Sequence, residues 1–204
     1  MKPEYWDRAR RALARRDPVM AAIIRRHPGV HLVSRGDPFL TLARSIVGQQ
    51  ISVKAAQSVW NRFSEVAVEV VPENILRLRA TRLRACGLSE RKAEYIFDLA
   101  QRFADGAVHV HRWPQMSDEE VIADLVQVRG IGRWTAEMLL MFSLLRPDVF
   151  PLADLGLQKA IRLAYYKRKV SLRTLARHGE SWRPWRSVAT WYLWRSLDPL
   201  PVEY

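Results

Sequence analysis

At 204 residues, 49% hydrophobic and 26% charged, the chain is long enough to bury a core and too apolar for a disordered tail. Lys and Arg total 33 against 21 Asp and Glu, a net charge of +12. Such a charge suits a polyanion, because each phosphate contact releases condensed counterions; an Arg-rich composition alone would also produce it. The single cysteine, Cys86, excludes an internal disulfide, a cysteine-based zinc site and a four-cysteine iron-sulfur cluster.

The first 20 residues alternate Arg with small and apolar residues and hold no apolar signal core. Apolar residues at spacings of three and four predict an amphipathic helix from Tyr5 to Ile24 and another from Phe39 to Phe63, the latter opened by Asp37-Pro38. Between Val66 and Val71 the chain is β-branched enough for a short strand, but Glu69 and Pro72 fit a helix-end connection equally well. Shorter helical patterns follow at Pro72–Leu78, Leu83–Cys86 and Glu90–Phe103, and Ala104–Met116 reads as a connection bearing Gly, His and Pro. In that connection His109-x-His111 reads as solvated, and none of the five histidines shows metal-ligand spacing.

Ser117-Asp118-Glu119-Glu120 is a capping-box start, with Val121, Ile122, Leu125 and Val126 forming the apolar face of a helix that stops near Val128. Further helices are predicted over Arg133–Leu145, Asp154–Tyr166, Leu172–His178 and Pro184–Leu197. The longest apolar run, Met138 to Leu145, is broken by Ser143 and too short to span a bilayer, so a soluble, cytoplasmic protein with no membrane partner is expected. No period-2 run is convincing and no linker separates the segments. The fold class is therefore all-α, with residues 1–204 as one unit and a helix-hairpin-helix at 118–145.

The hairpin Val128-Arg129-Gly130-Ile131-Gly132-Arg133-Trp134-Thr135-Ala136 is the most specific feature of the chain. Gly130 and Gly132 are expected to take backbone conformations closed to residues with a Cβ. The N–H groups of Gly130, Gly132 and Thr135 would then meet a phosphate at the start of the second helix, with Arg129 and Arg133 beside it. Leu83 to Glu94 echoes Val126 to Glu137 with one of the two glycines, a pattern that any short helix-turn-helix also gives. Asp154 follows Gly130 by 24 positions and opens the next helix. Read locally it is an ordinary N-cap, whose helix dipole would help keep it ionised.

Val128 to Ala136, Asp154, Ser45-Ile46-Val47-Gly48-Gln49-Gln50-Ile51-Ser52 and Trp182-Arg183-Pro184-Trp185-Arg186-Ser187 together resemble the helix-hairpin-helix/Gly-Pro-Asp superfamily of DNA glycosylases. The likeness is nearest to the 3-methyladenine DNA glycosylase II branch, over residues 37 to 197 and without the extra N-terminal domain of some members. It implies a two-lobed helical fold and double-stranded DNA with damaged bases as partner of a monomeric enzyme. No cofactor would be required. A sodium or potassium ion held by the carbonyls of Val126, Val128 and Ile131 is also implied.

The resemblance makes Asp154 the catalytic carboxylate, because breaking an N-glycosidic bond builds positive charge on the sugar. It makes Trp134, Trp194 and Met138 walls of the base pocket and Gln50 the wedge that fills the gap left by the everted base. Indole faces attract the delocalised positive charge of an alkylated purine. Bifunctional members form a Schiff base through a lysine where this chain has Trp134, so a monofunctional enzyme that leaves an abasic site is expected. Two departures stand out: Arg129 replaces the usual hairpin proline, and Met138 stands where relatives have an aromatic residue. A glycosylase for other damaged or mismatched bases, or a DNA-binding module without activity, would share the hairpin; Asp154 and the aromatic pair weigh against the latter.

Overall fold

A computed structural model describes residues 2–197, and among these residues all regular structure is helical. In chain order the α-helices are α1 (Trp6–Arg16), α2 (Pro18–Arg26), α3 (Pro38–Gly48), α4 (Val53–Ala67), α5 (Pro72–Leu76) and α6 (Ala80–Ala85), then α7 (Glu90–Ala104), α8 (Asp118–Leu125) and α9 (Arg133–Phe142), and finally α10 (Leu155–Ile161), α11 (Leu172–Glu180) and α12 (Arg186–Leu197). A 3-10 segment spans Val110–Gln115, and a wider π turn, Arg162–Tyr166, extends α10.

Both long N-terminal helices expected from the hydrophobic spacing are broken in two. Pro18 lacks an N–H and forces Asp17 out of helical geometry, and the Asp17 carboxylate caps α2 by accepting from Met20 N at 2.9 Å. The second break falls at Gly48: Gln49 is extended, Gln50 is left-handed at φ +58° and Ser52 caps α4. Hydrophobic spacing alone did not reveal either break, because the apolar stripe resumes in phase after a short turn. Val66–Val71 is a helix-end connection, with Val68 at φ +64° and Val71 extended into Pro72 at the start of α5.

Two compact units are formed, one from residues 35–139 and the other from 2–34 with 140–197. In the first, α3 and α5 pack on α7, and Leu42, Ile46, Phe63, Ile75, Leu83 and Trp113 are fully buried. In the second, α2 and α10 pack on α12, where Trp6 meets Trp191 edge-on at 5.3 Å. There Asp17 serves twice, since its Oδ2 also accepts from the Tyr165 hydroxyl at 2.7 Å and the Trp182 indole at 3.0 Å.

The connection before α8 is more ordered than its composition implied, and His109 is not simply solvated. Asp124, 6% exposed on α8, accepts from His109 N (2.9 Å) and the Trp113 indole (2.8 Å), and its Oδ1 lies 2.7 Å from His109 Nδ1. Burial opposes ionisation of Asp124, but these hydrogen bonds outweigh it and hold the carboxyl below the usual carboxylate range. His111 remains exposed.

Truncating Asp124 strands a buried indole N–H and a backbone N–H, so Asp124→Ala is expected to cost about 1–3 kcal/mol in urea unfolding at pH 7. Because the folded-state pKa is depressed, that stabilisation is complete above the unfolded value of about 4 and is lost as the pH falls through the folded one. The gap in unfolding midpoint between wild type and variant should narrow in that acid range; a constant gap would contradict the assignment.

Candidate functional site

In the unit of residues 35–139, the hairpin between α8 and α9 is held from three directions. Arg129 N donates to Asp98 Oδ2 at 2.8 Å, and the Arg129 guanidinium pairs with Glu94 at 2.8 Å, both acids lying on α7. Gly130 O accepts from the Gln49 side-chain amide at 2.9 Å, which joins the hairpin to the turn between α3 and α4. Lys92, in the first turn of α7, donates to Val47 O (2.8 Å) and Gln49 O (2.7 Å) and so satisfies the carbonyls left over at the end of α3. Burial pushes this ammonium below the usual lysine range.

Gly130 has φ +83°, and a Cβ there would lie 2.2 Å from the Tyr95 ring. Only glycine meets both conditions. Gly132 does not share this restriction, contrary to the expectation for both glycines: it is exposed, its φ is not in the left-handed region, and an added Cβ would meet nothing within 4 Å. Gly132 O accepts from Ala136 N at 3.1 Å, the first bond of α9, so the N–H groups ahead of Ala136 have no intrahelical acceptor. Thr135 itself is buried. Arg133 is not simply a free cation beside these N–H groups, because it pairs with Glu119 of α8 and, at 3.1 Å, with Glu137. These carboxylates push its guanidinium pKa upward. Of the carbonyls assigned to a cation, Val128 O accepts from Ile131 N at 3.1 Å.

A cavity of about 320 Å³ opens in this unit beside the same turn, with Trp134, Gln49, Gln50, Arg44 and Trp60 among its walls. Trp134 and Gln50, assigned to pocket and wedge from sequence, therefore share one cavity. Met138 is buried one turn further along α9 and is not among the residues lining that cavity.

In the other unit, Asp154 caps α10, accepting at Oδ1 from Leu157 N (2.6 Å) and from the Trp194 indole (2.9 Å). Trp194 stacks on Phe142 with centroids 6.1 Å apart. A Cβ on Gly156 would approach Asp154 Oδ1 to 3.1 Å, so this position keeps space beside the carboxylate. The loop leading to Asp154 is clamped by the Trp-Arg-Pro-Trp-Arg-Ser motif: Arg186 grips Asp148 with two parallel bonds (2.9 and 3.0 Å), and the Ser187 hydroxyl donates to Arg146 O and accepts from Val149 N. Phe150 packs where Gly179 lacks a side chain, and Gln158 Nε2 holds Leu152 O at 2.9 Å. Among the described residues, no group of three or more His, Cys, Asp or Glu side chains is placed to hold a metal ion.

The sequence had not singled out Lys92, Asp98, Gln49, Arg44 or Trp60. Gln49 and Lys92 lay inside motifs already quoted, but only the break at Gly48 shows why a turn there needs them. The two glycines should separate in a stability measurement. Gly130→Ala is expected to lower the urea midpoint by more than 1 kcal/mol equivalent, from left-handed strain and the Tyr95 contact together, whereas Gly132→Ala should cost no more than about 1 kcal/mol as a weaker helix cap. Equal effects would mean that Tyr95 does not fix the hairpin.

The profile of the HhH-GPD superfamily of base excision DNA repair proteins matches residues 43–184. DNA-3-methyladenine glycosylase 1 of Schizosaccharomyces pombe is 35% identical over 80% of this chain and 74% of its own length. The Bacillus subtilis protein YfjP is 35% identical over 88% of this chain, and the chain spans 66% of its length. The solved structure of the Schizosaccharomyces pombe 3-methyladenine DNA glycosylase Mag1 in complex with abasic DNA superposes with a TM-score of 0.82 at 31% identity, covering 97% of this chain and 99% of that one. The chain belongs to the HhH-GPD superfamily of base excision DNA repair proteins.

Proposed function

We propose that this protein is a monofunctional DNA glycosylase that hydrolyses the N-glycosidic bond of alkylated bases everted from duplex DNA. The observation that carries this reading is Asp154, a carboxylate fixed by a backbone N–H and the Trp194 indole at the start of α10. The names of its relatives support it, several being DNA-3-methyladenine glycosylases.

Departure of the base leaves positive charge on the sugar. A carboxylate already oriented by two donors stabilises that charge without reorganising as it forms, and it orients the water that completes hydrolysis. Alkylation at a ring nitrogen makes the base a cation that leaves without prior protonation, so no general acid is needed on the leaving side. Trp134 carries no nucleophilic amine, and the reaction stops at the abasic site.

The N–H groups of Gly130, Gly132 and Thr135 receive a DNA phosphate, the exposed Gly132 permitting close backbone approach. Gln50, exposed and left-handed at the turn after α3, fills the space left by the everted base. Val126, Val128 and Ile131 offer carbonyl oxygens, a donor set suited to a sodium or potassium ion. The hydrogen bond from Ile131 N uses one lone pair of Val128 O, and a carbonyl has two. Such an ion, held there, would supply positive charge beside the phosphate. Arg129 and Arg133 add charge near the phosphate while paired to Glu94 and Glu119.

Mass spectrometry of free bases released from methylated duplex DNA tests the reading. Wild type should release 3-methyladenine and 7-methylguanine, and Asp154→Asn should be slower by about 100- to 10,000-fold. No strand should be cut without heat or alkali. Release by both proteins, or by neither, would overturn the proposal, and spontaneous strand scission would overturn its monofunctional part.

A further inference from the structure

The turn after α3 carries a strained residue at its tip. Gln50 has φ +58°, a left-handed geometry that a residue with a Cβ keeps only when its surroundings hold it there. It is exposed and lines the cavity with Trp134. Gln49, just before it, has already left the helix at φ −55° and ψ +132°.

The peptide between these two residues is the element to hold. Rotating it changes ψ of Gln49 and φ of Gln50 together and swings Gln49 O to a new direction, so a group that fixes this carbonyl fixes the left-handed turn. Gln49 O accepts from Lys92 Nζ at 2.7 Å, and the same ammonium takes Val47 O at 2.8 Å. One bond of Lys92 therefore grips the end of α3 and the other grips the strained peptide. The Gln49 side chain adds a further point through Gly130 O at 2.9 Å. Lys92 does not depend on the turn for its own place. It lies in the first turn of α7, a helix of 15 residues packed on α3, and its N–H is held by the Ser89 cap at 3.3 Å. Solvent could satisfy the same carbonyls, but water would not fix their direction.

We infer that Lys92 is a positioning residue for base eversion, holding Gln50 in its left-handed turn so that the wedge is formed before DNA arrives. This rests on the reading of Gln50 as the wedge. The cost of ordering the turn is then met during folding and not while the base leaves the stack, where it would add to the cost of unstacking. Without Lys92 the Gln49–Gln50 peptide is free to relax to ordinary backbone geometry, and eversion must first recapture it. The loss falls on substrates that have to be opened.

The test compares single-turnover release of 7-methylguanine from a fully paired duplex with release of the same base from a short mispaired bubble, where little stacking and pairing has to be broken. The ratio of the two rates is read within each protein, so a smaller folded fraction cancels. Lys92→Met should lower the paired-to-bubble ratio by about tenfold, the scale expected when ordering one left-handed residue is moved onto the eversion step. Lys92→Arg, which keeps the charge and the donors, should recover most of it. In a Gln50→Ala background, which itself lowers the ratio, Lys92→Met should add nothing, because both residues act through one turn. Should Lys92→Met fail to fold, Lys92→Gln, with a shorter donor, carries the same comparison. An unchanged ratio in the Lys92 variant, including a parallel fall on both substrates as expected of lost stability alone, would overturn the inference and leave the glycosylase reading standing. A full further fall in the Gln50→Ala background would do the same. An unchanged ratio in Gln50→Ala removes the wedge reading and the inference with it. Absence of release from either substrate by wild type would instead overturn the glycosylase reading.

Discussion

Every helix end leaves backbone groups without intrahelical partners, and the chemistry of this protein depends on which of those groups are satisfied and which are not. The carbonyls at the end of α3 are taken by Lys92, the N–H groups at the start of α10 by Asp154. At the start of α9 the first intrahelical bond runs from Ala136 N to Gly132 O, so the N–H groups ahead of it have no acceptor within the helix ladder, and Gly132, which precedes the helix, carries no side chain of its own to cap them. A helix that begins with an uncovered glycine in a strongly basic chain is poised for an anion, whereas the same helix begun by Ser or Asp would have satisfied itself.

A turn that begins on a glycine is held by something other than a capping side chain of that residue. Most superfamily members limit the freedom of this turn with a proline, and here Arg129 takes its place. An arginine restores a backbone N–H that must find an acceptor, and Asp98 supplies one while Glu94 engages the guanidinium. The rigidity that proline contributes through a fixed φ is thus rebuilt from contacts to α7. The same helix brings Tyr95 against Gly130 and Lys92 onto the carbonyls of the Gln49 turn, so Lys92, Glu94, Tyr95 and Asp98 of α7 together hold the hairpin and the turn beside it. The echo between Leu83–Glu94 and Val126–Glu137 takes on physical meaning here: both segments turn on a left-handed glycine, at φ +97° and +83°. The first segment has become the support of the second.

Much of this was legible because local chemistry and tertiary role coincide. The capping box at Ser117, the hairpin glycines and the cap at Asp154 are short-range features, and they appear where the sequence put them. What escaped was longer in range or smaller in amplitude. Interruptions of one residue at Asp17 and of four at 49–52 are short enough to vanish into the apolar periodicity, although Asp17-Pro18 repeats the signal of Asp37-Pro38. The pairing of Arg44 with Trp60 across the second break depends on the angle between two helices, which no spacing encodes. The pairing of His109 with Asp124 was hidden for a different reason: a polar residue on a helix reads as solvent-facing unless its donors are known.

Under the proposed function, capping and catalysis are not competing explanations for Asp154. A cap needs only an oxygen acceptor, and Ser52, Ser89, Ser117 and Ser171 fill that role elsewhere in the chain. An aspartate used merely as a cap places a charge at the helix start for at most a modest gain from the dipole. Asp17 shows what else can use the second oxygen in a structural setting, where a tyrosine hydroxyl and an indole both converge on it. At Asp154 the indole and the backbone N–H converge on the same oxygen, Oδ1, while Gly156 withholds a side chain from its neighbourhood. Two donors on one oxygen fix the carboxylate, and a loop clamped through Asp148 and Ser187 delivers it to that place. Capping is thus the means by which the carboxylate is oriented, and an oriented carboxylate is what a developing positive charge on a sugar requires.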